Sequence, residues 1–166
     1  MQTKNSFRIL LGITVLGLLM AVFLPAGVVQ AAPSSSVTAQ GEQLEIWFMR
    51  EKNALSAQQT RIQEAKNVEQ KTQATIDKLT SEGKDASWLS KALAAFTQGV
   101  STAESYTNQA ANILNTGAGF DGSGKVTDAR QALNTIRQAG HYLREAHLAI
   151  TQATLDFRAA IQSHAQ

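Results

Sequence analysis

The chain has 166 residues, with 15 Lys and Arg against 13 Asp and Glu, and no cysteine. That length fits one domain, and the missing thiol excludes disulfides, a lipid anchor on cysteine, c-type haem attachment, zinc ribbons and thiol catalysis. The small basic surplus is too weak for a nucleic-acid binder, which neutralises phosphates with clustered cations.

In chain order, Lys4 and Arg8 precede the apolar run "ILLGITVLGLLMAVFL", the breakers Pro25 and Gly27, and the small-residue ending "VVQAA". Residues 1–31 therefore read as a secretory signal peptide cut after Ala31, since a cut after Ala32 would put Pro33 beside the scissile bond. The rival reading is an uncleaved anchor: Ile9 to Val29 is mostly apolar, and about 20 such residues span a bilayer. The break at Pro25 and Gly27 leaves a short helix before it, which favours cleavage. Loss of Lys4 and Arg8 leaves 13 basic against 13 acidic residues. The expected location is outside the cytoplasm: secreted, periplasmic or at the cell surface, with membrane contact only through residues 9–29 if they are retained.

Residues 32–40 read as a flexible lead-in, and residues 41–166 contain no proline. Glycines at 83 and around 119 divide this stretch into helices over about 41–83, 85–116 and 127–164. In the first, Phe48, Leu55, Ile62 and Ile76 fall on a seven-residue row beside Leu44, Ala65 and Leu79. In the second, Leu89, Leu93, Phe96, Val100, Ala103, Thr107, Ala110 and Leu114 alternate by four and three, as one helix face requires. The third does so through Ala129, Leu133, Ile136, Gly140, Leu143, His147, Ile150, Thr154, Phe157 and Ile161. Gly83 and Gly117 suit left-handed C-caps, Asp85 and Thr127 suit N-caps, and Asp128 puts a carboxylate in a first turn. The expected fold is all-α: a long antiparallel three-helix bundle, up-down-up and coiled-coil-like, after the N-terminal signal segment.

Two rows on the third helix invite function. Ala132, Ala139, Ala146, Ala153 and Ala160 form a small-residue face that either packs on another helix of the chain or pairs with a second copy. Arg130, Arg137, Arg144 and Arg158 share another row, interrupted by Thr151. These arginines would bind an acidic polymer, lipid phosphates or an acidic partner through forked contacts. The plainer alternative pairs them with helix-one glutamates such as Glu64 or Glu69.

The histidines give no metal centre. His141 and Glu145 have the reach of a ligand pair, but no second pair is recognisable on another helix. His147 falls in the core series and is expected to bond across the bundle, for instance to Thr107. The stretch "GAGFDGSGKVTD" partly matches a calcium loop, with Asp121, Ser123, Lys125 and Thr127 at ligand positions around Gly124. Gly119 and Arg130 stand where such a loop needs an aspartate and a closing glutamate, so a turn between helices explains the residues better. Near that turn, Phe120 is expected to cover part of the cluster Ile46, Trp47, Phe48 and Met49, leaving the rest as an apolar contact surface.

The signal segment, "EGKDASWLSKALAAF" and "GFDGSGKVTDARQAL" together resemble a group of uncharacterised exported bacterial helical proteins, over roughly residues 83–166. The resemblance implies the fold and the location and carries no activity. The expected function is that of a non-catalytic, exported interaction or scaffold protein of the cell envelope. It would need no cofactor and would bind a protein partner or itself through Ile46, Trp47, Phe48, Phe120 or the arginine row. The alternative is a ligand or ion carrier using the 119–130 loop or the bundle interior. An enzyme is not expected, because no nucleophile, base and orienting group stand together.

Overall fold

The structure is a computed structural model describing residues 36–164. The expected signal peptide or anchor, residues 1–31, lies outside the described residues. The described chain is three helices packed on one another: α1 (Ser36–Ser81), α2 (Ser87–Thr116) and α3 (Ala129–His164). Its sole β feature is an isolated bridge between Phe120 and Val126. No described helix is long and apolar enough to cross a membrane.

Helix α1 begins at Ser36, so residues 36–40, expected as flexible lead-in, are its first turns. Pro33 is the last breaker before it, and nothing in "SVTAQ" interrupts a helix that the following residues propagate. The helix closes in a Schellman turn, with Lys84 N–H donating to the Leu79 carbonyl at 2.9 Å and Gly83 N–H to Thr80 at 3.0 Å. Gly83 takes the left-handed φ of 70° that this turn requires.

Two N-termini differ from expectation by one residue. Helix α2 starts at Ser87 and the half-in residue is Ala86, so Asp85 stands ahead of the cap, its carboxylate accepting Ser87 N–H at 2.9 Å. At α3 the cap is Asp128, not Thr127: one carboxylate oxygen accepts Arg130 N–H and Gln131 N–H, both at 2.9 Å. Thr127 instead gives its N–H to the Gly119 carbonyl, which ties the loop together.

Helices α2 and α3 make the closest contact. Ala132, Ala139 and Ala146 are wholly buried and Ala153 nearly so, and a Cβ added at Gly99 would lie 2.4 Å from the Ala153 Cβ. The small-residue face of α3 is thus consumed within the chain. Ring pairs line the same contact: Phe96 on Phe157 at 4.8 Å, Tyr106 near Tyr142 at 6.2 Å, and Trp88 on His164 at 4.3 Å between centroids.

Helix α1 is joined less completely. Its inward series alternates by four and three through Leu44, Phe48, Glu51, Leu55, Gln58, Ile62, Ala65, Glu69, Thr72, Ile76 and Leu79. Four of those positions are polar, and at one of them, Gln58, the apolar interior divides. One cluster gathers Leu44, Phe48, Leu114, Ala132, Ile136 and Ala139, and the other is built around Ile62, Leu93, Phe96, Val100, Ile150 and Phe157. Gln58, between them, is 2% exposed, and its amide nitrogen has no partner. One Glu69 carboxylate oxygen is buried and unpartnered too.

His147 is not a core residue. The buried stripe of α3 is centred on the alanine row, so His147 rotates to an exposed edge, where its Nδ1 lies 3.4 Å from Arg61 Nη1. Thr107, its expected partner, donates instead to the Ala103 carbonyl of its own helix at 2.8 Å. Loss of water around the imidazole, and then the Arg61 charge, hold the His147 pKa below the ordinary value.

Candidate interaction surface

The start of α1 and the loop between α2 and α3 form one end of the described bundle. Gly117 ends α2 in the left-handed region at φ 57° and donates to the Ile113 carbonyl. Gly119 is irreplaceable: its φ is +88°, and a Cβ there would stand 2.1 Å from the Ala132 backbone nitrogen. Its carbonyl accepts from Thr127 N–H at 2.8 Å and Asp128 N–H at 3.2 Å, and Thr135 closes the base by donating to the Ala118 carbonyl at 2.7 Å.

Inside this loop Asp121 is satisfied locally. Its Oδ1 accepts from Ser123 N–H at 2.8 Å, the Ser123 hydroxyl at 2.7 Å and Lys125 N–H at 2.9 Å. The Ser123 hydroxyl and then the Lys125 N–H hold the Asp121 carboxyl below its usual pKa. The Lys125 carbonyl, the ligand a calcium loop would use, accepts Asp121 N–H at 2.9 Å. Thr127 lends its N–H to Gly119. Asp121, Ser123, Lys125 and Thr127 are therefore brought together as a turn whose donors and acceptors pair with one another. Among the described residues, no group of three His, Asp or Glu converges as metal ligands.

The loop is latched onto α1. Phe120 stacks on Phe48 with centroids 4.0 Å apart. Glu45 accepts from the Lys125 ammonium at 2.7 Å and from Val126 N–H at 3.2 Å. The lysine first, then the Val126 amide, lower the Glu45 pKa, and the glutamate raises that of Lys125. Phe48 is 2% exposed, so Phe48 and Phe120, both expected at a contact surface, are spent on each other. What remains outside is Ile46 at 61%, Trp47 at 40% and Met49 at 52% exposure. A helix turn that places its phenylalanine inward necessarily turns these neighbours outward.

The arginines of α3 face solvent: Arg130, Arg137 and Arg144 are exposed and Arg158 half-buried. Their expected pairing with Glu64 or Glu69 is absent among the described residues, where ion pairs join Lys66 to Glu104, Lys84 to Glu82 and Lys125 to Glu45. Glu69 has turned into the α1 seam, with a buried carboxylate oxygen, and Glu64 is exposed. His141 Nδ1 lies 3.9 Å from Glu145, a pair that attracts only when the imidazole is protonated.

Sequence reasoning missed Leu148 and Leu155, which stand 55% and 45% exposed. Continuing the arginine series by four and three from Arg144 would have reached both. A cleft of ≈ 480 Å³ is lined by Gln73, Leu93, Thr97 and Ser101 among others, with no charged side chain. Compared with protein-family models, with curated proteins and with solved structures, the chain matches none.

Proposed function

We propose that the chain is an exported, non-catalytic scaffold of the cell envelope that acts by burying the Ile46, Trp47 and Met49 surface against a second copy of itself. The observation that carries this reading is the exposure of those three apolar side chains on the outward side of the helix turn whose inward residue, Phe48, is stacked on Phe120. A surface of this kind on a rigid base loses little ordering entropy on binding, and apolar and aromatic groups dominate contact energies. The export part of the proposal rests on the signal-like segment before Ala31. Resemblance to exported bacterial helical proteins, through the loop and the openings of α2 and α3, points the same way.

The proposed course of the helices is up, down and up in a left-handed, coiled-coil-like bundle. Contact order supports it: along α2, Trp88, Phe96 and Tyr106 meet His164, Phe157 and Tyr142 in falling order. Along α1, Glu51 and Arg61 meet Gly140 and His147 in rising order. Alternation by four and three on all three helices is what such packing uses.

The test is the emission of Trp47 in a Trp88→Phe variant, so that a single indole reports. A blue shift as protein concentration rises is expected when the partner is a second copy. Emission that stays that of a hydrated indole at every concentration would refute burial against a second copy.

A further inference from the structure

The outward side of α3 is a continuous stripe. Arg130, Asn134, Arg137, His141, Arg144, Leu148, Thr151, Leu155 and Arg158 alternate by four and three, which puts them on one face of the helix. All are exposed except Thr151 and Arg158, which are half-buried. From Ala129 to Arg144 the helix itself carries no acidic residue, and the three arginines of that span, spread along about 21 Å of helix at ~1.5 Å per residue, form no ion pair among the described residues, with the Glu51 carboxylate of α1 lying against Gly140. Of the two acids of α3, Glu145 flanks the stripe beside His141, and Asp156 accepts the Gln152 amide at 2.8 Å. The chain carries a net charge of only +2 in total, but that charge is not evenly spread. This stripe is locally cationic, and its C-terminal half exposes two leucines.

We propose that this stripe lays the bundle on an anionic lipid surface, with Arg130, Arg137 and Arg144 on headgroup phosphates and Leu148 and Leu155 in the acyl boundary. The arginines match the charge and fork geometry of phosphate oxygens. The leucines choose the source of those phosphates. A hydrated soluble polyanion offers them nothing, whereas cations with leucines on one helix side is the pattern of an interfacial helix. Isolated exposed leucines are ordinary, but two in register with the arginines share one plane. This contact is separate from the Ile46, Trp47 and Met49 surface, and it adds a membrane contact to the one expected of residues 9–29 alone.

The chain has no cysteine, so a single introduced thiol can carry a polarity-sensitive fluorophore. The probe is placed at Leu148→Cys in the full chain, with a control at the exposed Gln98→Cys on α2, and titrated with vesicles of phosphatidylglycerol or phosphatidylcholine. The expected result is a blue shift at position 148 with phosphatidylglycerol only, reversed by high salt. Lys4 and Arg8 ahead of residues 9–29 also favour anionic lipid, so it is the difference between positions 148 and 98, and its loss with the helix arginines, that assigns the contact to this stripe. With each arginine near an anionic surface contributing as is usual, Arg137→Gln with Arg144→Gln raises the half-saturating lipid about 30-fold. Both sites are exposed, and circular dichroism checks that the helices persist. The proposal is overturned by no shift at 148, by equal shifts in the two lipids, or by an equal shift at position 98. It is also overturned if soluble polyphosphate competes completely while Leu155→Ser leaves binding unchanged, which marks a polyanion site. Association without lipid is read separately, so failure of this contact and failure of the scaffold reading are distinguishable.

Discussion

Gln58 sits at the waist of the bundle, 2% exposed, with its amide nitrogen unpartnered and its carbonyl oxygen only 3.5 Å from Arg61 Nη1. A buried donor without an acceptor carries a desolvation cost of about 1–3 kcal/mol. Gln58→Leu removes that donor in a side chain of similar size and places a leucine between Leu55 and Ile62 in the α1 seam. Burying the new apolar surface adds about 1.5–3 kcal/mol in transfer terms, offset by imperfect fit and by loss of the long contact to Arg61. The net expectation is a gain of about 1–3 kcal/mol, the size of the removed penalty. Urea unfolding followed by circular dichroism measures it, with the exposed Gln59→Leu as control, expected to stay within about 0.5 kcal/mol. A loss of stability at Gln58→Leu would instead mean that the amide makes a bond worth keeping.

Four further outcomes test other parts of the structure. Gly99→Ala gains about 1 kcal/mol of helix propensity but forces a Cβ to 2.4 Å from that of Ala153. Overpacking costs about 1–3 kcal/mol, so the melting temperature falls and Ala153→Gly restores it; a rise for Gly99→Ala alone would disprove the close α2–α3 approach. His147 has a lowered folded-state pKa, so its contribution is complete above the unfolded value of about 6.5 and is lost as pH falls through the folded one. The acid arm of the stability profile is then shallower in His147→Gln, and an unchanged arm contradicts the assignment. Glu51, whose pKa burial raises, acts oppositely: it stabilises below its unfolded value and loses that contribution as pH rises through the folded pKa. Calcium at about 10 mM, well above the range of weak extracellular sites, leaves the melting temperature unchanged if the Asp121 loop is a self-paired turn; a rise of several degrees would reinstate it as a site.

How far the sequence could be read varied with how much each feature depended on neighbours. The α2 series from Leu89 to Leu114 was legible residue by residue, because each position is apolar, small or a threonine that bonds its own backbone. Gly83 and Gly117 were legible because a left-handed turn leaves few residue choices. Thr127 and Asp128 are both good caps, and only the bond from Thr127 N–H to Gly119, a tertiary event, decides between them. His147 fitted the four-and-three series of α3, but the depth of the alanine row turned that helix and moved it to the edge. In α1 the apolar members of the series were legible, and only its polar members Glu51, Gln58, Glu69 and Thr72 were not, because a hydrophobic count passes over them. The split of the aromatic cluster, with Phe48 inward and Ile46, Trp47 and Met49 outward, followed from register once one position was known.

The most direct measurement is light scattering after size exclusion on wild type and on Ile46→Ser, Trp47→Ser, Met49→Ser, three exposed positions whose replacement leaves both cores intact. Wild type is expected to associate with rising concentration, and the triple variant, unchanged in circular dichroism, to stay monomeric. A wild type that is monomeric at every concentration, or a variant that associates equally well, would rule out self-association through this surface.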